Sequence, residues 1–396
     1  MKASERSDTL VLFGATGDLA RKKLYPALYH LVAEGKLDLP VIGVAAAGWD
    51  DAKLRTYAAD AIHAGVEQPD PAAVEKVTSS LTLVDGDYRD PATFQHLADV
   101  LHEHGTEHPL HYLAIPPSLF ETVVQGMCAV GLDKGARVVI EKPFGRDLAS
   151  AKELNQVLHQ VFGEQAIFRI DHYLGKEPIE NLMVFRFANS LLEPVWNRRY
   201  IARVEVTMAE SFGVEGRGSF YEKVGAIRDV VQNHLFQVLA NLAMEPPAGT
   251  DSESVRDEKV KVIKAMKPLA AGDVVRGQFR GYRDEKGVSP GSTVETYAAV
   301  RLAINSWRWQ GVPFYLRAGK CLPVTCTEVI VRFHRPPPVY EASSPPPNNL
   351  RFRISPDIAI GLGVMVKAPG ERMAGNPVEL RVSRSDDPNA MEAYER

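Results

Sequence analysis

Strand-like and helix-like stretches alternate regularly through the first 170 residues of the chain. Short apolar runs of strand character are separated by longer stretches in which apolar residues recur at helical spacing. The strand-like runs are Thr9–Phe13, Val41–Ala45, Leu81–Val84, His111–Ile115, Arg137–Ile140 and Ala166–Phe168. Because strands that alternate with helices form βαβ units, this half of the chain is predicted to contain a parallel, doubly wound sheet.

From about residue 178 the pattern changes to longer stretches of alternating β-branched and aromatic residues. This alternation is typical of an antiparallel sheet with one covered face. The predicted strands are Arg203–Met208, Val294–Ala303, Val329–His334, Leu350–Ile354 and Pro377–Val382. The proline-rich stretch 335–349 is interpreted as a connection between two of them.

A glycine-rich turn follows the first predicted strand. Gly14 and Gly17 lie between that strand and a predicted helix that reaches about Glu34. In this context the first glycine permits a tight turn, the second lets the backbone approach a pyrophosphate, and the helix N-terminus faces the phosphates. The sequence therefore predicts a Rossmann-like dinucleotide-binding domain over residues 1–175 and an α+β domain on a large, mainly antiparallel sheet flanked by helices over residues 176–396.

The second strand leaves the choice of dinucleotide open. NAD-binding units carry an acid at the end of this strand, and NADP-binding units carry an arginine nearby. In this chain residues 45–48 are Ala-Ala-Ala-Gly, so neither signal is present. Lys53 and Arg55 follow within ten residues, and Thr16 in the glycine turn is a small polar residue suited to a 2′-phosphate. On these residues alone, NAD and NADP both remain open.

A polar cluster surrounds Gly175, after the last strand of the first half. His172, Tyr173 and Lys176 can donate hydrogen bonds to an anion such as a phosphate, and Asp171 can orient a base or accept a proton. Open α/β sheets bind ligands at the carboxyl ends of their strands. The cluster therefore predicts a binding site, with a solvated turn as the alternative.

Two further segments carry candidate chemistry. Lys142 follows a predicted buried strand, beside Pro143, which restricts the backbone there. Farther along, residues 227–239 have the apolar spacing of a helix with one buried face. Asp229 and His234 lie about 140° apart around such an α-helix, so they flank one side and border one cavity. A helix histidine among apolar residues is often structural, but next to a carboxylate His234 would be a general base.

Composition and charge narrow the class of protein. Hydrophobic residues make up 45% of the chain and charged residues 24%, as in ordinary globular proteins. A net charge of −4 gives no reason to expect nucleic acid or an anionic membrane as a partner. No signal-peptide core or spanning apolar stretch is seen, so a cytoplasmic protein is expected. Three cysteines make neither a disulfide framework nor a zinc ligand set, and no metal is expected.

Six ordered segments together resemble the glucose-6-phosphate dehydrogenase family. The segments are residues 14–26, 141–147, 169–177, 210–217, 227–234 and 317–320, and the resemblance runs from about Thr9 to the end of the chain. It implies an oxidoreductase of glucose metabolism that catalyses the first oxidative step of the pentose phosphate pathway. Hydride leaves C1 of glucose 6-phosphate for NADP, with NAD as an alternative acceptor, and 6-phosphoglucono-lactone is formed.

The resemblance also implies roles for individual residues. His234 matches the base that removes the C1 hydroxyl proton, and Asp171 matches the carboxylate that holds its imidazole. The family's phosphate clamp is matched by His172, Tyr173, Lys176 and Lys320. The groups that hold the sugar hydroxyls are matched by Lys142, Glu210 and Asp229. The cofactor positions are matched by Gly14, Thr16, Gly17, Asp18, Leu19 and Lys142.

Three features depart from the family pattern. Ala46 stands where many members place the arginine for the NADP 2′-phosphate, which keeps NAD open. Thr325 and Cys326 stand where some members have basic residues near the phosphate or a second NADP, so no second NADP is expected. The chain ends at Arg396, at the opening of a helix that continues in relatives, so a shortened substrate domain is expected.

The family's sheet domain implies a homodimer. Two other readings of the sequence stay open. One is a truncated homologue that binds sugar phosphate or nucleotide with little turnover. The other is a dehydrogenase of an unphosphorylated sugar, against which the predicted phosphate clamp argues.

Overall fold

The computed structural model describes residues 6–145, 147–171, 173–339, 345–370 and 373–384. The chain forms two compact units, the first ending at Gly175 and the second beginning at Lys176. The strands of the first unit are β1 (Thr9–Phe13), β2 (Val41–Ala45), β3 (Leu81–Asp85), β4 (Pro109–Leu113), β5 (Arg137–Glu141) and β6 (Ile167–Ile170). Its helices are α1 (Tyr25–Ala33), α2 (Asp51–Gly65), α3 (Pro71–Ser79), α4 (Pro91–Glu103), α5 (Phe120–Ala129) and α6 (Leu148–His159).

The six strands of the first unit form one parallel sheet in the order β3-β2-β1-β4-β5-β6. This is the doubly wound order, which reverses direction between β1 and β4, and it confirms the predicted fold class. β4 begins at Pro109 and ends at Leu113, two residues earlier than predicted. The apolar run misled the prediction because Ile115 is buried in the turn after the strand.

Both faces of the parallel sheet are covered by helices, as such sheets require. Side chains of β1 alternate between two buried clusters. Val11 and Phe13 pack with residues of α4 and α5, whereas Leu12 packs with residues of α1 and α2. The turn after β1 is therefore fixed between two cores at the centre of the sheet.

Among its described residues, the second unit contains eight strands and four longer helices. The strands are β7 (Ile201–Ala209), β8 (Val274–Gly277), β9 (Tyr297–Ala303), β10 (Pro313–Gly319), β11 (Cys326–Phe333), β12 (Asn349–Ser355), β13 (Ile358–Lys367) and β14 (Gly375–Arg384). The helices are α7 (Glu177–Phe187), α8 (Gly218–Ala226), α9 (Phe236–Ala243) and α10 (Ser252–Ala265). The sheet order is β14-β13-β12-β11-β7-β10-β9-β8.

Within the described residues this second sheet is antiparallel at every pairing except β7 with β10, which run parallel. The prediction of a large, mainly antiparallel sheet is confirmed. Sequence patterns did not reveal β8, β10 and β13. β10 begins with Pro313, a residue more typical of loops, and its position as first residue of a strand is what makes proline acceptable there.

Helix α9 is held at its C-terminal end by three buried side chains. The indole N–H groups of Trp196 and Trp309 donate to the carbonyls of Leu242 and Ala243 at 2.8 and 2.7 Å. The guanidinium of Arg186 donates to the carbonyl of Met244 at 2.8 Å. These bonds satisfy carbonyls that a helix end leaves without partners. They fix the end of the helical segment that carries His234.

Candidate functional site

The glycine turn after β1 has the geometry that its sequence predicts. Gly14 has φ +83°, and a Cβ at this position would lie 2.3 Å from the carbonyl oxygen of Ala114. The N–H of Gly17 donates to the carbonyl of Gly14 at 2.9 Å and closes the turn. Only glycine fits the first position, because both its backbone angle and its contact exclude a side chain.

Tyr88 anchors this turn, and the sequence analysis did not identify it. Its hydroxyl accepts the N–H of Gly14 at 2.8 Å and donates to the carbonyl of Val44 at 2.9 Å. Burial raises the pKa of the Tyr88 phenol to about 12. The residue lies between β3 and α4 with no local motif around it, so no sequence signal marks its role.

The segment after the turn is a short π-helix, Ala20–Leu24, which leads directly into α1. Leu19 is its N-cap residue. Asp18 is exposed and pairs with Lys22 at 2.9 Å, and this hydrogen bond lowers the pKa of its carboxyl. Asp18 therefore offers a solvated charge at the mouth of the turn.

Lys142 directly follows β5, beside a buried carboxylate. Glu141, the last residue of that strand, is 8% exposed and accepts the hydroxyl of Tyr112 at 2.6 Å. Burial raises the pKa of Glu141, against the lowering effect of the Tyr112 hydrogen bond and the neighbouring Lys142. The nearby carboxyl of Asp171 also raises the pKa of Glu141. The two residues are neighbours because they lie at the carboxyl ends of the adjacent strands β5 and β6.

Asp171 lies immediately after β6, as predicted. Its side chain accepts the N–H of Tyr173 at 3.0 Å, and its carbonyl accepts the N–H of Leu174 at 3.0 Å, so the carboxylate is fixed in a tight turn. Tyr173 is buried. His172 lies outside the described residues. Lys176 is exposed and begins the second unit as the N-cap residue of α7.

In the second unit, Glu210 and Lys320 follow the two parallel strands of the sheet. β7 ends at Ala209 and β10 at Gly319, and these two residues are register partners. The N–H of Glu210 donates to the carbonyl of Gly319 at 2.9 Å. The side chains meet in an ion pair of 2.7 Å. The parallel pairing therefore explains why two residues 110 positions apart share one site.

Lys320 is an unusually buried cation, with only 5% of its surface exposed. Its ammonium lies 4.9 Å from the ring centroid of Phe212 and 5.4 Å from that of Tyr221. Cation–π contacts of this kind are strongest where water is excluded. Burial raises the pKa of the Tyr221 phenol above its usual range, and the carboxylates of Asp229 and Glu210 raise it further. Both carboxylates thus act on the same ring that contacts Lys320.

Asp229 and His234 lie on a π-helix, Ile227–Leu235, that packs against β7 and β10. At its end the N–H of Phe236 donates to the carbonyl of Val231, five residues back. The prediction of a continuous α-helix, with these two residues about 140° apart, was therefore wrong for this segment. Bonding between residues five apart places His234 roughly one turn beyond Asp229. Such irregular turns are frequent at functional sites.

Gly225 and Glu295 fix the start of this π-helix. Gly225 has φ +62°, and a Cβ there would lie 2.6 Å from Glu295 Oε1. The same carboxylate oxygen accepts the N–H of Ile227 at 3.0 Å, and the carbonyl of Glu295 accepts the N–H of Ala226 at 2.9 Å. The sequence analysis assigned Glu295 to a strand, but β9 begins only at Tyr297.

The structure thus brings the predicted site residues together within each unit. In the first unit, Lys142 and Asp171 follow adjacent strands, and the glycine turn lies at the same carboxyl edge of the sheet. In the second, the ion pair of Glu210 and Lys320 lies at the ends of strands that contact the π-helix. Asp171 belongs to the first unit and His234 to the second, and their pairing stays a prediction.

No group of three or more His, Cys, Asp or Glu side chains within the described ranges is arranged to hold a metal ion. None of the helices in the described part of the chain has both the length and the apolar composition that crossing a bilayer requires.

Comparison with known proteins gives one family over nearly the whole chain. Residues 11–181 match the model of the glucose-6-phosphate dehydrogenase NAD binding domain, and residues 183–396 match that of the glucose-6-phosphate dehydrogenase C-terminal domain. Glucose-6-phosphate 1-dehydrogenase 1 of Mycobacterium tuberculosis strain H37Rv is 45% identical over 362 residues, which cover 90% of this chain and 77% of the relative.

Two solved structures agree in fold along almost the full chain. The crystal structure of glucose-6-phosphate 1-dehydrogenase from Mycobacterium avium has a TM-score of 0.89 at 43% identity and covers 98% of this chain and 85% of its own. A glucose-6-phosphate dehydrogenase in complex with its substrate glucose-6-phosphate has a TM-score of 0.91 at 38% identity, with coverage of 100% and 86%. This chain belongs to the glucose-6-phosphate dehydrogenase family.

Proposed function

We propose that this chain oxidises glucose 6-phosphate at C1 with NADP as hydride acceptor and forms 6-phosphoglucono-lactone. The observation that carries the proposal is the cluster in the second unit, where the buried ammonium of Lys320 pairs with Glu210 at 2.7 Å and lies 5.4 Å from the ring centroid of Tyr221, whose pKa the carboxylate of Asp229 also raises. A buried ammonium suits a phosphate, and two carboxylates suit sugar hydroxyls. The choice of substrate is supported by relatives named glucose-6-phosphate dehydrogenase, one of them in complex with glucose-6-phosphate.

The first unit fits a dinucleotide. Gly14 and Gly17 form the tight turn after the central strand, with Thr16 between them. Asp18 and Leu19 lead into the helical segment whose N-terminus follows the turn. Because the two glycines leave the backbone of the turn open at the carboxyl edge of the sheet, the turn suits a pyrophosphate. We assign Gly14, Thr16, Gly17, Asp18, Leu19 and Lys142 to the cofactor.

In the reaction, His234 accepts the proton of the C1 hydroxyl while the C1 hydrogen leaves with its electron pair. NADP, when bound, supplies the hydride acceptor. Asp171 holds the imidazole of His234 and favours the charged form that the proton transfer creates. Its carboxylate accepts the N–H of Tyr173 at 3.0 Å, which limits its motion.

The remaining residues position the substrate. His172, Tyr173, Lys176 and Lys320 bind the phosphate, and Lys142, Glu210 and Asp229 accept or donate hydrogen bonds to the sugar hydroxyls. The phosphate lies far from the reacting carbon, so its contacts supply binding energy that orients C1. We therefore assign residues 1–175 as the dinucleotide-binding domain and residues 176–396 as the domain for substrate binding and subunit association.

We further propose a cytoplasmic homodimer that associates through the sheet of the second unit. Val378, Leu380 and Val382 alternate along β14, and all three side chains are exposed. A row of apolar side chains on one strand face favours burial against a partner. Light scattering after size exclusion should give twice the chain mass of 43.6 kDa. Leu380→Arg should reduce this mass to that of the monomer.

The test of the function is reduction of NADP by the purified chain, followed at 340 nm. Glucose 6-phosphate should support turnover, and glucose at the same concentration should give a far lower rate because it lacks the phosphate. Equal rates with both sugars would contradict the phosphate clamp. A folded protein that binds both ligands without any turnover would instead support the binding-protein alternative.

A further inference from the structure

Arg21 and Lys53 are two cations near the glycine turn that form no ion pair among the described residues. Within the described ranges, no carboxylate oxygen lies within 4.0 Å of either charged group. Their neighbours differ: Lys22 pairs with Asp18 at 2.9 Å, and Arg55 approaches Asp51 at 3.7 Å. The carboxylate of Asp18 acts on Arg21 electrostatically but is hydrogen-bonded to Lys22. Both cations can therefore still form charge-assisted hydrogen bonds with a bound phosphate.

Both cations pack against aromatic rings that contact each other. The guanidinium carbon of Arg21 lies 5.4 Å from the ring centroid of Tyr57, and the ammonium of Lys53 lies 4.7 Å from that of Trp49. The two rings are 5.2 Å apart in a T-shaped arrangement. The four side chains therefore form one continuous stack, in the order Arg21, Tyr57, Trp49, Lys53, and each cation is held in place by a ring.

This stack lies beside the cofactor turn. The hydroxyl of Tyr57 donates to the carbonyl of Thr16 at 2.9 Å. The backbone N–H of Arg21 donates to the carbonyl of Gly17 at 3.0 Å. At its other end, Trp49 directly follows the turn after β2. In doubly wound folds the groups that distinguish NAD from NADP lie between these two turns.

Two backbone donors in the turn after β2 are already occupied. The carboxylate of Asp85, at the end of β3, accepts the N–H groups of Ala47 and Gly48, each at 2.8 Å. These two N–H groups are therefore not available to a phosphate, and the charged donors near this turn are side chains. Asp85 is the acid that faces this turn, and its charge opposes an anion, so more than one cation is needed to outweigh it.

The other acids and the other cation nearby are engaged elsewhere. Asp50 caps α2 by accepting the N–H of Lys53 at 2.9 Å, and Asp51 accepts the N–H of Leu83 at 2.7 Å. Arg55 donates to the carbonyl of Leu81 at 3.0 Å. Leu81 is the first residue of β3, at the opposite end of the sheet from the cofactor edge, which excludes Arg55 from the cofactor.

We propose that Arg21 and Lys53 together bind the 2′-phosphate of NADP and replace the arginine that is absent at Ala46. The inference rests on the proposed function and adds the groups that select NADP over NAD. The guanidinium of Arg21 and the ammonium of Lys53 each lie over an aromatic ring, so both side chains lose little further freedom when their N–H groups bind a phosphate.

The experiment measures binding of two cofactor fragments by calorimetry, with the purified full chain. The fragments are 2′,5′-ADP, which carries the 2′-phosphate, and 5′-AMP, which lacks it. Arg21→Gln and Lys53→Gln should each weaken the binding of 2′,5′-ADP by about tenfold or more, because each removes a hydrogen bond between charged groups. Binding of 5′-AMP should change by less than about twofold.

Lys76→Gln is the matched control. Lys76 lies on α3 of the same unit, is exposed, and pairs with Asp38 at 3.0 Å. Its replacement removes one positive charge, as the other variants do, but at a position outside the stack. It should leave the binding of both fragments unchanged. Equal loss for Lys76→Gln would mean that net charge alone is measured and would overturn the proposal.

The outcomes separate this inference from the proposed function. If Arg21→Gln and Lys53→Gln both bind 2′,5′-ADP with the affinity of the natural chain, the 2′-phosphate assignment is wrong. The proposed function would still stand if the natural chain reduces NADP with glucose 6-phosphate. If the double variant binds both fragments equally and reduces NAD as well as NADP, the assignment is supported. Raised salt should reduce the natural chain's affinity for 2′,5′-ADP more than that of the double variant.

Discussion

The ammonium of Lys320 lies 2.7 Å from the carboxylate of Glu210, and the two residues follow neighbouring parallel strands. Before substrate arrives, the cation proposed for the phosphate therefore neutralises a carboxylate proposed for the sugar. Glucose 6-phosphate offers a partner to both groups at once. A sugar without the phosphate would have to break the pair and leave the ammonium, which is 5% exposed, without a counter-ion.

Lys320→Met should raise KM for glucose 6-phosphate by about 10- to 100-fold, because it removes a charge-assisted contact to the phosphate. The slow oxidation of glucose should change far less, since that sugar makes no phosphate contact. Steady-state kinetics with both sugars would measure the difference.

Lys267→Met is the control for Lys320→Met, because Lys267 is an exposed lysine of the same unit. It should leave both kinetic constants unchanged. If Lys320→Met raised KM for glucose and glucose 6-phosphate equally, Lys320 would hold the site in shape without binding the phosphate.

His234→Asn should lower kcat by about 10²- to 10⁴-fold, the range for losing a general base. KM should change little, because the imidazole is proposed to act on the proton rather than to bind the substrate. His96→Asn makes the same chemical change at an exposed position on α4 and should have no effect. Unchanged turnover in folded His234→Asn would contradict the assignment.

Much of this site could be predicted because its residues follow strand ends and glycine turns. Gly14, Lys142 and Asp171 each come at or shortly after the end of an apolar run, and each directly follows a strand of the parallel sheet. The pairing of Glu210 with Lys320 could not be predicted from the pattern alone. It depends on the parallel register of β7 and β10. The sequence pattern did not predict β10, because that strand begins with Pro313.

The geometry of the histidine helix could not be predicted either. Apolar spacing indicates a helix but cannot distinguish bonding to the fourth residue from bonding to the fifth. The π-helix here depends on Gly225 and Glu295, which lie 70 positions apart and are joined only by the fold. Tyr57 and Tyr88 escaped notice for the same reason, since their partners are backbone atoms of distant turns.

Gly225→Ala tests whether the start of the π-helix sets the position of Asp229 and His234. Gly225 has φ +62° and ψ 178°, a conformation almost exclusive to glycine, so a side chain there costs about 1–3 kcal/mol, and the new methyl group would lie 2.6 Å from Glu295 Oε1. The displaced carboxylate would then release the N–H of Ile227. The variant should lose stability, and kcat should fall by about tenfold or more because the base is misplaced.

Gly311→Ala separates backbone strain from this contact. Gly311 also has positive φ, +89°, but nothing lies within 4 Å of its added Cβ. It should lose some Tm through backbone strain, less than Gly225→Ala does, and should keep full kcat. If both variants retained full kcat, the geometry of the π-helix start would not matter for catalysis.

His111 should make the protein acid-sensitive between pH 6.5 and pH 4. Burial on β4 lowers the pKa of its imidazole to about 4, and Nε2 lies 2.9 Å from the carbonyl oxygen of Leu132. In the unfolded chain a histidine titrates near 6.5, so below that pH the unfolded state binds more protons than the folded state. The free energy of unfolding should therefore decrease as the pH is lowered. Between the two pKa values this histidine contributes a decrease of up to about 1.4 kcal/mol per pH unit.

His111→Gln removes this titration but keeps an N–H donor for Leu132. Urea denaturation at pH 6.5 and pH 5.0 should show that the natural chain loses roughly 2 kcal/mol more than the variant between the two values. Other titrating groups are common to both proteins and cancel in the comparison. His96→Gln, at an exposed histidine, should behave as the natural chain does. Parallel pH profiles for the natural chain and His111→Gln would mean that water reaches this imidazole and that its pKa is not depressed.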